Sequence, residues 1–332
     1  MCEHAIVGAG DDLRLVMIGA GWIVPYHLAA LDRLGRTTLV GVAASRLERA
    51  AAVAEPRGAV ASTDPVALID EVRPDAAFVC VPPWRAVAIG EALVERGIPF
   101  LTEKPLAATD ADGPVRLAAA IERSGLVVAV GYHLRALEGL DELRGRLATD
   151  PSRLVIGRWL DSTPAAPWWR HAATGGGQVV EQATHLYDLG RALVGEASVV
   201  GATSVHDGVP DPEDGDVADA TVALLRYETG ALGTFLNSRR SATPTVELEL
   251  IGDAGSSRIR RLEGPAGWEI SLVEGASRRR LPLGRDPYEV QDDCFLDAVV
   301  AGDPLRVLSS YGDALATDRL TRAVVAATGQ PG

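Results

Sequence analysis

The stretch LRLVMIGAGWIVPYH, residues 13–27, decides how this chain is read. Residues 13–18 are apolar apart from Arg14, the continuous pattern of a strand buried on both faces. Gly19 and Gly21 follow at once. The first suits a tight bend, and the second lets the backbone approach a pyrophosphate closely. A helix opening just beyond them would turn free N–H groups and the positive end of its dipole toward phosphate. Val24 stands where a third glycine is usual, so the strand-before, helix-after context carries the reading. A dinucleotide is therefore expected across Gly19, Ala20, Gly21, Trp22 and Ile23.

Working outward, the same alternation repeats. TLVGVAA (38–44), DAAFVCV (75–81), PFLTE (99–103) and LVVAVGY (126–132) read as further buried strands. Helical stretches lie between them at 24–35, 64–72, 84–97 and 110–125, with Gly35, Gly97 and Gly125 at their ends. Strand and helix alternating this often predict a doubly wound parallel sheet. After about residue 150 the texture changes. One helical stretch (177–194) precedes closely spaced strands: SVVGATSV, ADATVALLRY, GALGTFLNS, TVELELIG, SSRIRRL and WEISLVE. Several alternate polar with apolar, which suits an open, mainly antiparallel sheet with one solvated face. Helices near 287–301 and 313–327 close the chain. The expectation is an α/β fold with a nucleotide-binding domain over 1–133 and an α+β domain over 134–332, the final helices being candidates to pack back on the first domain. An open sheet face invites a second copy, so a homo-oligomer, dimer or tetramer, is expected through it.

The net charge of −13 argues against nucleic acid or an anionic membrane as partner. Arg278, Arg279 and Arg280 form the one basic run and read as a solvated face. Cys2, Cys80 and Cys294 are too scattered for a disulfide framework or a zinc site. The N-terminal MCEHAIVGAGDD lacks the basic and apolar segments of a signal peptide. No apolar run reaches the ~20 residues that span a bilayer. A cytoplasmic protein is expected.

The end of the second strand reads VAASRLERA (42–50), with Ser45 and Arg46 where an acid would bind a ribose hydroxyl. A hydroxyl and a guanidinium would hold a 2′-phosphate, which favours NADP over NAD. Lys104, in FLTEKPLAA (100–108), is the only lysine among the 32 Lys and Arg residues. It lies at a strand's C-terminal end, where open α/β sheets bind ligands, stiffened by Pro105. An ammonium there could donate hydrogen bonds to a substrate oxygen and stabilise alkoxide character. In GGGQVVEQATHLYDLGRALVG (175–195), Glu181 and His185 have i, i+4 spacing, with Asp188 one turn further. Imidazole titrates near ~6.5, so His185 could take a hydroxyl proton while a carboxylate holds it in place. No H-E-x-x-H is present and no third ligand is near, so no metal is expected. In PWWRH (167–171), Trp168 and Trp169 could stack on sugar C–H faces and Arg170 could bind hydroxyls; anchoring between domains explains the tryptophans equally well.

These stretches together, GAGWI, EKP at 103–105, GYHLR at 131–135 and GGGQVVEQATHLYDL at 175–189, resemble the glucose–fructose oxidoreductase, inositol dehydrogenase and MocA-type oxidoreductases over nearly the whole chain. The resemblance implies a Rossmann-type first domain and a catalytic set of Lys104, His185 and Glu181. Lys104 matches the lysine that contacts nicotinamide ribose and substrate, and Glu103 precedes it in the same motif. His185 matches the proton-transferring histidine. Glu181 stands where many members have aspartate. CVPPW (80–84) departs from the usual loop, which leaves backbone contact with the cofactor from Cys80 and Pro82. His133 and Arg135 fall where substrate contacts cluster. The expected activity is hydride transfer between a nicotinamide cofactor and a secondary hydroxyl or ketone of a sugar, sugar derivative or cyclitol. Two alternatives stay open: a redox-neutral glycoside hydrolase or lyase holding NAD tightly, and a cofactor-binding protein without catalysis.

Overall fold

The computed structural model describes residues 12–206, 215–262, 267–282 and 284–329. Cys2 and the N-terminal stretch read for a targeting signal lie outside them. Residues up to Ala136 with Asp286–Leu315 make one compact unit, and Leu137–Arg285 with the residues from Ala316 make a second.

In the first unit, β1 (Leu13–Ile18), β2 (Thr37–Ala43), β3 (Val60–Ser62), β4 (Ala76–Val79), β5 (Phe100–Thr102) and β6 (Val128–Val130) form one sheet in the order β3-β2-β1-β4-β5-β6. Every pairing is parallel. Strand order reverses beside β1, and a ligand crevice belongs at the carboxyl ends of the strands there. Successive side chains of β1 serve opposite cores, as a pleated strand requires. Val16 and Ile18 pack with Leu68, Leu93 and Phe100. Leu15 and Met17 pack with Leu28, Phe78, Phe295 and Leu296. The last two come from helix Pro287–Ala301, one of the closing helices, and Asp286–Leu315 falls in the first unit. Burying a Phe or Leu stabilises by about 1.5–3 kcal/mol, and Phe295 meets Phe78 edge-on at 5.5 Å.

The second unit carries an eight-stranded sheet made of β7 (Leu154–Ser162), β8 (Ala197–Val205), β9 (Ala220–Tyr227), β10 (Leu232–Ser238), β11 (Arg240–Ile251), β12 (Ser256–Arg261), β13 (Trp268–Glu274) and β14 (Ser277–Leu281). Its order is β14-β13-β12-β11-β7-β10-β9-β8. β7, absent from the strands read in the sequence, sits mid-sheet, parallel to β10 and antiparallel to β11. The other pairings are antiparallel. The arginine run forms the edge strand β14, with Arg278, Arg279 and Arg280 exposed as expected.

The helix read over 177–194 is two helices, Gly177–Glu181 and Thr184–Val194. Ala183 N–H bonds to the Gln178 carbonyl at 2.8 Å, a five-residue span where an α-helix uses four. The break falls between Glu181 and His185, so the two do not share one continuous helical face.

Candidate active site

The phosphate turn is built as its sequence predicts. Gly19 has φ +129°, and a Cβ there would lie 2.0 Å from the carbonyl oxygen of Cys80. Its N–H bonds the Ala43 carbonyl at 2.8 Å, and Cys80 N–H bonds the Ile18 carbonyl at 2.7 Å. The first turn is thus drawn tight between β2 and β4, where only glycine fits. Gly21 contrasts with it: a Cβ there would meet nothing within 4 Å, and the residue is exposed just ahead of helix Val24–Leu34. Space over a helix N-terminus suits an anion, and this cradle fits a dinucleotide's phosphates. Val24 is 1% exposed and belongs to the core, which explains the missing third glycine. Trp22 lies open at 75% exposure, Ala20 and Ile23 are half-buried, and Ser45 and Arg46 are exposed beyond β2. Arg46 is the N-cap of helix Leu47–Ala54. Pro82 caps helix Pro83–Glu95 just past Cys80.

Lys104 follows β5, half-buried, with a cis bond to Pro105. Glu103 before it is buried, and its N–H bonds the Val79 carbonyl at 2.9 Å. Its carboxylate reaches Nε2 of His27 at 3.2 Å, and Nδ1 of His27 lies 2.9 Å from Asp292. A Cβ on Gly131 would fall 2.3 Å from Oε1 of Glu103, so that carboxylate occupies the space an ordinary residue would need. The His133 ring stacks on Tyr288 at 4.5 Å and 17°. Burial, with the charges of Lys104 and His27, pushes its pKa down to about 3, so His133 is a neutral ring at working pH. Arg135 pairs with Asp313 and donates to the Leu308 carbonyl at 3.2 Å. These contacts tie together two segments of the first unit.

In the second unit the glycine run turns at Gly176 and Gly177, with φ +73° and +79°. The tryptophan loop before it is pinned by Asp216, whose carboxylate accepts from Ala172 N–H at 2.6 Å and whose N–H reaches the Arg170 carbonyl at 3.0 Å. Trp169 is 1% exposed and donates its indole N–H to Glu181 at 2.7 Å. It therefore orients a carboxylate instead of offering a face to a sugar, while Trp168 and Arg170 remain half-buried in the same loop. His185 opens helix Thr184–Val194, 4% exposed, its ring parallel to Trp159 at 5.8 Å. Asp188 does not stand ready for proton chemistry; it accepts from Thr317 at 3.0 Å, and Thr317 in turn meets Arg191.

The sequence reading missed His27, Asp292 and Tyr288 in the first unit, and Trp159 in the second. His27 closes the opening stretch itself, and Asp292 shares a helix face with Tyr288, Phe295 and Leu296, so a histidine and an acid on apolar faces were the available signals. The buried Asp219–Arg239 pair, 2.6 Å apart, was missed as well; Arg239 also donates to Thr163 at 3.2 Å. Among the described residues no cluster of His, Cys, Asp or Glu could hold a metal ion, and no helix is long and apolar enough to cross a membrane.

Comparison with known proteins adds to this geometry. Residues 13–132 match the oxidoreductase family with an NAD-binding Rossmann fold, GFO_IDH_MocA, and residues 152–258 match the GFO/IDH/MocA C-terminal domain. The chain is 26% identical over 314 residues to the myo-inositol 2-dehydrogenase of Thermotoga maritima, covering 90% of this chain and 92% of that one. An uncharacterized protein of Schizosaccharomyces pombe is 27% identical over 247 residues, 67% of this chain and 64% of its own length. The solved structure of KijD10, a 3-ketoreductase from Actinomadura kijaniata in complex with NADP and TDP-benzene, superposes with a TM-score of 0.83 at 21% identity. That likeness covers 96% of this chain and 98% of the other, and shows a shared fold.

Proposed function

Since the chain belongs to the GFO/IDH/MocA oxidoreductase family, with its NAD-binding Rossmann fold, we propose that it is an NAD(P)-dependent dehydrogenase acting on a secondary hydroxyl, or the corresponding ketone, of a sugar, sugar derivative or cyclitol. The observation that carries this reading is the chain's only lysine, half-buried at the carboxyl end of β5 in the sheet that holds the phosphate turn. The names of the relatives, an inositol dehydrogenase and a ketoreductase, support the substrate class.

A nicotinamide cofactor, when bound, supplies the hydride acceptor or donor. Gly19–Ile23 would hold its pyrophosphate, with backbone support from Cys80 and Pro82. Ser45 and Arg46 would bind a 2′-phosphate, the reason to favour NADP. In this reading Lys104 and His185 each have a role toward the reacting substrate oxygen. Lys104 donates a hydrogen bond to it and stabilises its developing negative charge, while His185 takes the hydroxyl proton. The parallel Trp159 ring holds the imidazole plane, and Glu181, fixed by Trp169, supports that side of the substrate. Trp168, Arg170 and the neutral His133 are the side chains left to read the remaining hydroxyls. We further propose that the protein works as a homo-oligomer in the cytoplasm, where Cys80 and Cys294, as thiols outside any disulfide, suit a reducing medium.

Screening sugars and cyclitols with NAD and NADP in parallel, read by reduced-nicotinamide absorbance, identifies the substrate and ranks the cofactors. Lys104→Ala should still bind cofactor and lose turnover by roughly a thousandfold, the scale set by removing one preorganised donor to a developing oxyanion. Retained turnover in that variant would refute the assignment.

A further inference from the structure

Beneath the strand end that carries Lys104 lies a buried line of charge that the proposed chemistry leaves unused. His27 and Asp292 are each 0% exposed and Glu103 is 9% exposed. Nδ1 of His27 stands 3.0 and 2.9 Å from the two carboxylate oxygens of Asp292, and Nε2 stands 3.2 Å from Oε1 of Glu103. A neutral imidazole has one N–H and one lone pair, whereas imidazolium has two donors. Between two carboxylates a neutral ring would aim its lone pair at an anion in a low-dielectric interior; imidazolium donates to both. The surroundings fix each partner. Gln291 donates to Asp292 at 3.3 Å, and the side chain of Glu103 lies over Gly131.

We propose that His27 is a positioning residue for Lys104: held as an imidazolium by Asp292, it fixes the Glu103 carboxylate, and so sets the place and charge surroundings of the ammonium on the next residue. This rests on the reading of Lys104 as the group that meets the substrate oxygen. The titratable groups around the ring are Asp292 and Tyr288 from helix Pro287–Ala301, Cys80 at the end of β4, Glu103 and Lys104 after β5, and His133 beyond β6. Two carboxylates and one imidazolium leave a single negative charge to offset the lysine. Burial alone pushes His27 down, but the Asp292 charge and hydrogen bond, with Cys80, outweigh it and hold the ring well above 6.5.

The composition of the chain makes the test direct. With one lysine, ¹³C labelling at lysine Cε gives one side-chain resonance, and ¹⁵N labelling of histidine gives signals from only 6 residues, His27 being assigned by its loss in His27→Gln. In the full-length wild-type protein at neutral pH both His27 nitrogens should show imidazolium shifts. Asp292→Asn keeps the shape of the contact and removes the anion. There His27 should lose its proton, and because one negative and one positive charge disappear together the Lys104 titration midpoint should stay close to its wild-type value. His27→Gln removes the cation alone, so there the lysine midpoint should rise by about half a unit or more. A neutral His27 in the wild type overturns the inference without any variant. So does an unmoved lysine midpoint in folded His27→Gln, or a His27 that keeps its proton in folded Asp292→Asn. Turnover in Lys104→Ala is a separate matter: activity retained there removes the catalytic reading, whereas a neutral His27 removes only this one.

Discussion

Gly19 and Gly21 stand two positions apart and ask for different things. At Gly19 both the positive φ and the Cys80 carbonyl exclude a side chain, so Gly19→Ala strains the fold itself. At Gly21 nothing stands within 4 Å of a Cβ, so Gly21→Ala should fold normally and lose only the close backbone approach a pyrophosphate needs. The expected pair of results is a loss of several degrees in Tm for Gly19→Ala, and an unchanged Tm with at least roughly tenfold weaker cofactor binding for Gly21→Ala, a difference of about 1.4 kcal/mol. Calorimetry and cofactor titration read the two, and equal affinity in Gly21→Ala would show that the turn holds no phosphate. Single residues were legible where the chemistry is local. The glycines announce a turn, and a lone lysine stands out against a background of arginine. His27 was not legible, because what it does depends on Asp292, 265 positions further along. The ion pair of Arg135 was hidden for the same reason, its partner Asp313 being far off in sequence.

At the scale of elements, β1, β2, β4, β5 and β6 were legible because strands buried on both faces are continuous apolar runs, and four helices stood out between them, while helix Leu47–Ala54 after β2 was not read. The short β3 carries too few residues to show a pattern. The break at Gln182–Ala183 was invisible for another reason: QVVEQATHLYDL keeps a helical period throughout. What accompanies the break is the Gln178 amide reaching the Ser238 carbonyl on β10 at 2.9 Å. Helix Pro287–Ala301 brings its own prediction, since Asp292 joins it through His27 to helix Val24–Leu34 and to the end of β5. The folded pKa of His27 stands above 6.5, so the native state binds this proton more tightly than the unfolded chain does. The stability it contributes is fully present below the unfolded value of about 6.5 and is lost as pH rises through the folded one. His133 acts in the opposite sense: its folded pKa near 3 makes the native state lose stability as pH falls below 6.5. The stability gap between wild type and His27→Gln, measured by denaturation across pH, should therefore be widest in mild acid and narrow on the alkaline side. A gap that is flat with pH, or that widens toward alkali, contradicts a charged His27.

For the molecule as a whole, the open face of the second unit's sheet is the feature that a net charge of −13 does not describe. Cross-strand neighbours there divide it in two. On β8, β9 and β10, Val200, Val222, Leu224 and Leu232 are 59%, 39%, 51% and 43% exposed. From β7 onward, Arg158 lies opposite Glu247, Glu247 opposite Arg260, and Arg260 opposite Glu269. The first and the last of these links are salt bridges within the sheet. Opposite charges facing one another across strands contribute roughly 0.2–1 kcal/mol per pair, so the charged half already satisfies itself. The apolar half has no such internal solution, and it is the half on which a second copy would gain most by burial. An assembly built on it should survive about 1 M salt, where the screening length falls to ~3 Å, and should come apart when Val222→Asp and Leu224→Glu are combined. Light scattering on the eluting protein reads both. Dissociation by salt with the apolar row intact would move the interface to the arginine and glutamate ladder, and a wild-type monomer would remove it from this face altogether.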